Sequence, residues 1–335
     1  MRYRIVFCIL ALSLLLSACG KGTTETTAVT TNAASGSENS SATEATETTE
    51  TPEVTETTGT PEPLRSNTPV ILIPEASGDV IYDNDLASID ASHLDDGYVM
   101  AKYTGTVSKV KIQVQTPQDA VYTYYLHSDY EAFPLTEGDG TYKITVYENV
   151  EAGTDLYAQV ISKELQVRIA NEFSPYLYPN QYVDFDADTQ TIAKGAELAA
   201  GAGSDLEVVT NVYNYIIENI TYDYDKANSV KSGYVPNVDE ILHSGTGICF
   251  DYAAVMATML RTQQIPTRLV VGYAGTAYHA WISTHIDDLG WVNGIIEFDG
   301  TTWKMMDPTF AASQSEKDLR DLIGDGDNYQ TKYKY

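Results

Sequence analysis

The chain has 335 residues, enough for about two domains of ordinary size, and its 43% hydrophobic and 20% charged composition supplies a well-formed core. Its 20 basic and 47 acidic residues leave a formal charge of -27, which repels a phosphate backbone and excludes nucleic acid as a partner. The first residues read as an export signal: Arg2 and Arg4 make a positive start, Ile5 to Leu16 form an apolar run, and small residues follow. A run of about a dozen residues does not cross a ~30 Å hydrocarbon core, which takes about 20.

The leader closes on Leu16-Ser17-Ala18-Cys19, which resembles the lipobox of bacterial lipoproteins. That resemblance implies a signal peptide over residues 1–19, a diacylglyceryl group on Cys19, and a mature protein anchored in the cell membrane on its extracytoplasmic face. The alternative is an ordinary signal peptide cut nearby. Residues 20–68 then turn to Thr, Glu, Ser, Ala and Pro, as in "TEATETTETPEVTETTGTPEP". With so few large apolar side chains this segment cannot offset its conformational entropy, and it is expected to be a disordered tether. A coil of that length reaches on the order of 40 Å.

From residue 69 to residue 185 the texture is β. "YVMAKY", "SKVKIQVQ", "AVYTYYLH", "TYKITVYEN" and "DLYAQVIS" are rich in Val, Ile, Tyr and Thr, and several alternate apolar with polar residues. Turn signals separate them at Asp95-Asp96-Gly97, Thr116-Pro117, Glu137 to Gly140 and Ala152-Gly153. Short strands at this spacing predict an antiparallel β-sandwich of immunoglobulin-like type.

Residues 186–335 form a second unit, which makes the fold class α+β. Ser204-Asp205-Leu206-Glu207 fits a capping box, followed by Leu206, Val209, Val212, Tyr213 and Ile216 at helical spacing. "VPNVDEILHSGTG" predicts a short helix ending in a glycine loop. In "CFDYAAVMATML", Phe250, Ala253, Ala254, Ala257 and Leu260 mark one face while Val255, Met256 and Met259 cover another. A helix apolar nearly all round belongs in a core. Strand-like runs follow: "TRLVVGYA", "YHAWISTHI", "GWVNGIIEF" and "TTWKMMD".

Cys8 and Cys19 lie in the leader, so Cys249 stands alone in the folded part. A single thiol in an exported protein is a small core residue, an intermolecular link or a reactive group. Cys249 falls where the glycine loop gives way to the buried helix. There the free N–H groups and the helix dipole favour a thiolate, opposed by Asp251. Gly245 and Gly247 leave room for a substrate carbonyl. His279 shares a predicted strand face with Trp281 and is either a satisfied core histidine or a base. Asp307 closes a later strand, where Asp-Pro also serves as ordinary strand-ending punctuation.

Taken together, "GICFDYAAVMATMLRTQQIPTRLVVGYA", "HAW" and "DPTF" resemble the transglutaminase-like family of papain-type folds. The resemblance covers roughly residues 190 to 310. It implies a Cys-His-Asp triad of Cys249 as nucleophile, His279 as base and Asp307 as the acid that orients the imidazole. The interval of 28 residues between His279 and Asp307 leaves space for an extra hairpin beside the site. The family chemistry implies attack of the thiolate on a peptide or side-chain amide, with the Cys249 N–H holding the oxyanion. Tyr222 and Tyr224 are candidates for a second oxyanion donor, and either is equally readable as a core aromatic. The thioester passes to water, as in a cysteine peptidase or deamidase, or to an amine, as in a cross-linking transglutaminase. A non-catalytic envelope binding or scaffold module is the third alternative. Partners are then a protein or peptide substrate, such as one in the cell envelope, and the membrane through Cys19. No cofactor is expected. No metal is expected either, because the acidic "DGDNY" near residue 325 lacks the spacing of a calcium loop.

Overall fold

A computed structural model describes residues 64–274, 277–287, 289–293, 296–298, 303–305 and 329–335, all within one compact unit, Thr60–Tyr335. The leader with Cys19, residues 20–63 of the expected tether, Asp307 and the acidic stretch near residue 325 lie outside the described residues. Residues 64–68, expected to close the tether, are held in place. Arg65 binds Asp205 and the Gln263 carbonyl, its N–H donates to Ala202 O at 3.0 Å, and Asn67 donates to Ala196 O at 3.0 Å.

The β region builds two antiparallel four-stranded sheets. One runs β1 (Ile81–Asp83), β2 (Ala87–Asp90), β3 (Tyr98–Tyr103), β6 (Glu131–Pro134). The other runs β5 (Val121–Tyr125), β4 (Val110–Gln115), β7 (Gly140–Asn149), β8 (Tyr157–Val167). Period-two patterning explains the second sheet: Val110, Ile112 and Val114 are buried, while the residues between them are half-exposed. Tyr124 of β5 meets Phe133 of β6 at 5.2 Å between ring centroids, so the inner faces of both sheets share one apolar cluster. The strands β1, β2 and β6 were not legible in sequence, being three or four residues long.

The helical region follows with α1 (Gln190–Ala199), α2 (Asp205–Asn219), β9 (Thr221–Tyr222), α3 (Tyr224–Ser229), α4 (Val238–Ser244), β10 (Thr246–Gly247) and α5 (Cys249–Thr262). Ser204 caps α2 by accepting from Glu207 N at 3.2 Å, and Glu207 reaches back to Gly203 N at 2.9 Å, one residue before the expected capping-box partner. Helix α5 is buried throughout residues 251–262. Helices α1, α2 and α4 pack on it from one side. On the other lies the sheet of β13 (Gly290–Asn293), β12 (Ala277–Ile286), β11 (Thr267–Ala274) and β16 (Tyr329–Lys334), antiparallel and in that order. The expected strand "GWVNGIIEF" divides into β13 and β14 (Ile296–Phe298), the latter paired with β15 (Trp303–Met305).

Strand β16 was not foreseen, and it ties the two regions together. Lys334 N donates to Tyr122 OH at 3.1 Å, Lys334 pairs with Glu137 at 3.2 Å, and the Tyr335 ring lies 4.6 Å from Tyr182. Arg261, fully buried in the last turn of α5, completes the junction. It donates to the carbonyls of Thr267 at 2.9 Å, Tyr178 at 2.7 Å and Tyr335 at 2.7 Å. Burial draws its guanidinium down to about 9, which leaves it charged at neutral pH.

Replacing Arg261 with Met strands three carbonyls, each at a cost of about 1–3 kcal/mol. Chemical denaturation should therefore show a loss of at least about 3 kcal/mol. Strand β11 yields a sharper test, since a Cβ on Gly272 would stand 2.0 Å from Gln330 O and 3.0 Å from the Trp281 ring. Gly272→Ala should lower stability by about 1–3 kcal/mol through overpacking, whereas Gly203→Ala, whose Cβ meets nothing nearer than 3.7 Å, should stay within about 0.5 kcal/mol of wild type.

Candidate active site

The position of Cys249 is set by a tight entry to α5. Helix α4 ends on Gly245, whose φ of 63° is left-handed and closes the helix through Gly245 N to Ile241 O at 3.0 Å. The next two residues form β10, which pairs in parallel with β9 so that Tyr222 stands opposite Gly247. Thr221 N donates to Gly245 O at 2.8 Å and Asp223 N to Gly247 O at 2.9 Å. Gly247 is required by what lies beneath it: a Cβ there would come 2.8 Å from the Asp251 Cβ. Ile248 is the N-cap and has no side-chain acceptor, so the helix start is closed from the third position instead. The Asp251 carboxylate accepts from Ile248 N at 2.8 Å.

Cys249 is the first residue of α5, a free thiol on a half-buried residue. Across from it runs β12. Cys249, Tyr252 and Ala253 on the helix, with His279, Ala280, Trp281 and Ile282 on the strand, line one cavity of about 10 Å³. That volume takes a single water. His279 is half-buried, is paired in register with Gly272 of β11, and has its ring 6.3 Å from that of Trp281. The structure thus brings Cys249 and His279 to the same cavity, while Asp307 lies outside the described residues.

The electrostatics differ from the sequence expectation of a lowered thiol. Burial pushes the Cys249 thiol up, and the Asp251 carboxylate adds to it. The N–H groups of Ala280, Phe250 and Cys249 itself stabilise the thiolate without offsetting burial. The helix start contributes the expected donors; the sheet closing over them removes the water that would favour charge. A neutral thiol beside an imidazole suits proton transfer at the moment of attack.

Of the two tyrosines singled out, Tyr222 lies within electrostatic reach of the thiol. Burial, reinforced by Cys249, Tyr224 and Asp251, raises its phenol to about 12, so its hydroxyl remains a donor at neutral pH. Tyr224 is 54% exposed and packs edge-on to Tyr222, with ring centroids 5.0 Å apart, one step further from the sulfur. His285 belongs elsewhere, against Phe173 at 4.3 Å and Trp291 at 5.5 Å.

Sequence reasoning named Asp251 but missed its burial and its partners. Asp251 is fully buried and accepts from Lys226 Nζ at 2.6 Å and from Tyr234 OH at 2.6 Å, while Lys226 also reaches Tyr234 OH at 2.7 Å. The one signal was Lys226 itself, the only cation in the acidic run "DYDKA".

Residues 192–294 match the sequence profile of the transglutaminase-like superfamily. A UPF0252 protein of Methanocaldococcus jannaschii is 29% identical over 92 residues, which is 24% of this chain and 26% of that protein, about a quarter of the relative's length. Among solved structures, a "putative cysteine protease" from Cytophaga hutchinsonii aligns with a TM-score of 0.33 and 14% identity, over 71% of this chain and 83% of that one. Red sea bream transglutaminase aligns with a TM-score of 0.28 and 12% identity, over 63% of this chain and 48% of its own. The chain carries a transglutaminase-like domain, and the thiol, the histidine-bearing strand and the helix between α4 and β11 all fall inside it.

Proposed function

We propose that the chain is an exported thiol acyl-transfer enzyme, held at the membrane by a lipid on Cys19, that cleaves peptide or side-chain amides by hydrolysis. The observation that carries the chemistry is the cavity shared by Cys249 and His279. His279 takes the thiol proton as Sγ attacks the amide carbon. The tetrahedral oxyanion is met by the N–H of Cys249 and the hydroxyl of Tyr222. The C–N bond then breaks as the imidazolium returns the proton to the departing amine, leaving a thioester on Cys249. Water, losing a proton to His279, attacks the thioester; the acid departs and the proton returns to sulfur. Asp307 is the group assigned to orient the imidazole.

Water is favoured as acceptor because it reaches any exported enzyme, whereas a cross-linker has to bind and desolvate a second substrate to compete with it. The residue 20–63 segment serves as the tether and the β region as an immunoglobulin-like spacer that carries the catalytic domain clear of the lipid surface.

Glutamine- and amide-containing peptides incubated with excess labelled amine test the reaction. Wild type should give products carrying water rather than amine, with none from Cys249→Ala and about a hundredfold less from His279→Ala. Amine as the main Cys249-dependent addition would move the reading to cross-linking, and no Cys249-dependent product across a broad panel would leave a binding module. For the anchor, Cys19→Ala should shift the protein from the membrane to the soluble fraction. A wild type that takes up no lipid label contradicts it.

A further inference from the structure

Helix α3, between β9 and the Tyr234 loop, buries none of its residues, yet it reaches Asp251, two residues from Cys249. Asp223 caps it by accepting from Lys226 N at 2.8 Å. Its inward attachment is Lys226, whose side chain is 27% exposed and ends on the Asp251 carboxylate, on a side chain that is 0% exposed. Asp251 has three donors, Ile248 N, Tyr234 OH and Lys226 Nζ, and of these only the ammonium carries charge. A carboxylate sealed from water two residues from a nucleophilic sulfur opposes a second negative charge there, because low dielectric strengthens like-charge repulsion. A buried carboxylate is tolerated where a cation and hydrogen bonds compensate it.

We infer that Lys226 is a positioning residue for the acyl-transfer site: it cancels the charge of Asp251 and pins α3 to the start of α5, so that Cys249 can become a thiolate with Tyr222 held beside it. This rests on the reading of Cys249 as the nucleophile. The titratable groups around Cys249 are His279 from β12 and Tyr252 of its own helix in the shared cavity, and Tyr222 of β9 and Asp251 within electrostatic reach, with Tyr224 of α3 packed on Tyr222. Among them Asp251 is the fixed negative charge, and Lys226 is the group placed to cancel it. Asp251 cannot simply be dispensed with, since it closes the uncapped helix start through Ile248 N. The pair is therefore a compromise: the carboxylate is needed by the helix and the ammonium is needed by the thiol.

The sign of two substitutions separates this role from a merely structural one. At pH 8, iodoacetamide labelling of Cys249 in the full chain should slow about tenfold in Lys226→Met, the equivalent of one unit in the thiol. It should speed up in Asp251→Asn, where the amide oxygen still accepts from Ile248 N. Lys226→Arg should restore the rate, and the double variant Lys226→Met with Asp251→Asn should return to within about twofold of wild type. Both single changes break the same contact, so loosening of the structure would move both rates in one direction. Rates in Lys226→Met within twofold of wild type, or a change of the same sign in both single variants, would overturn the inference. If Lys226→Met does not fold, Asp251→Asn decides alone, and an unchanged or slower rate there counts against it. Labelling reads the thiol without turnover, so a null result on amide substrates would sink the enzymatic reading and leave this result interpretable.

Discussion

The site depends on the seating of α5 between a helical layer and the sheet of β11 and β12. Because residues 251–262 are buried on every side, the helix cannot rotate or slide without opening the core, so its first residue is placed by packing far larger than any contact at the site. Gly195 of α1 shows how tight the fit is: a Cβ there would stand 3.1 Å from the Met259 backbone. Gly272 does the same on the sheet side, where β16 passes against its Cα. Cys249 and His279 meet because two rigid elements meet.

That same seating sets the electrostatic problem the site must solve. Closing the sheet over the helix start excludes water from the sulfur, and exclusion of water raises the thiol more than three backbone donors lower it. In the proposed reaction Cys249 therefore waits as a thiol and ionises only when His279 accepts the proton. The buried Asp251 sharpens the problem, and the Lys226 and Tyr234 contacts at 2.6 Å relieve it from the outer side of the helix. The start of α5 thus shares a cavity with β12 on one side and an ion pair with α3 on the other.

Much of this was legible before any coordinates, for physical reasons that differ by element. "SKVKIQVQ" and the apolar helix after Cys249 are legible because each is governed by a single local pattern, period two or burial all round. The glycine loop was legible as a loop, but its reason was not: Gly247 makes room for Asp251, a residue four positions on whose burial no local pattern announces. Strand β16, "YQTKYK", alternates like a half-exposed strand, but only its partners β11 and Tyr122 make it one. Lys226 and Tyr234 sit 25 and 17 residues before Asp251, and pairing across such intervals is a property of the folded chain. The direction of the Cys249 shift failed for a related reason, since a sequence displays the helix start and hides the sheet that covers it.

In the proposed reaction Cys249 and His279, which line a single small cavity, act as a reacting pair. A short bifunctional alkylator such as 1,3-dibromoacetone, which bridges a thiol and an imidazole only when they are in reach, tests it most directly. Peptide mapping after brief treatment of the folded protein should recover Cys249 joined to His279 through the acetone carbons, with the cross-link lost in His279→Ala. Mono-alkylated Cys249 with an unmodified His279, or bridging to a different side chain, would contradict it.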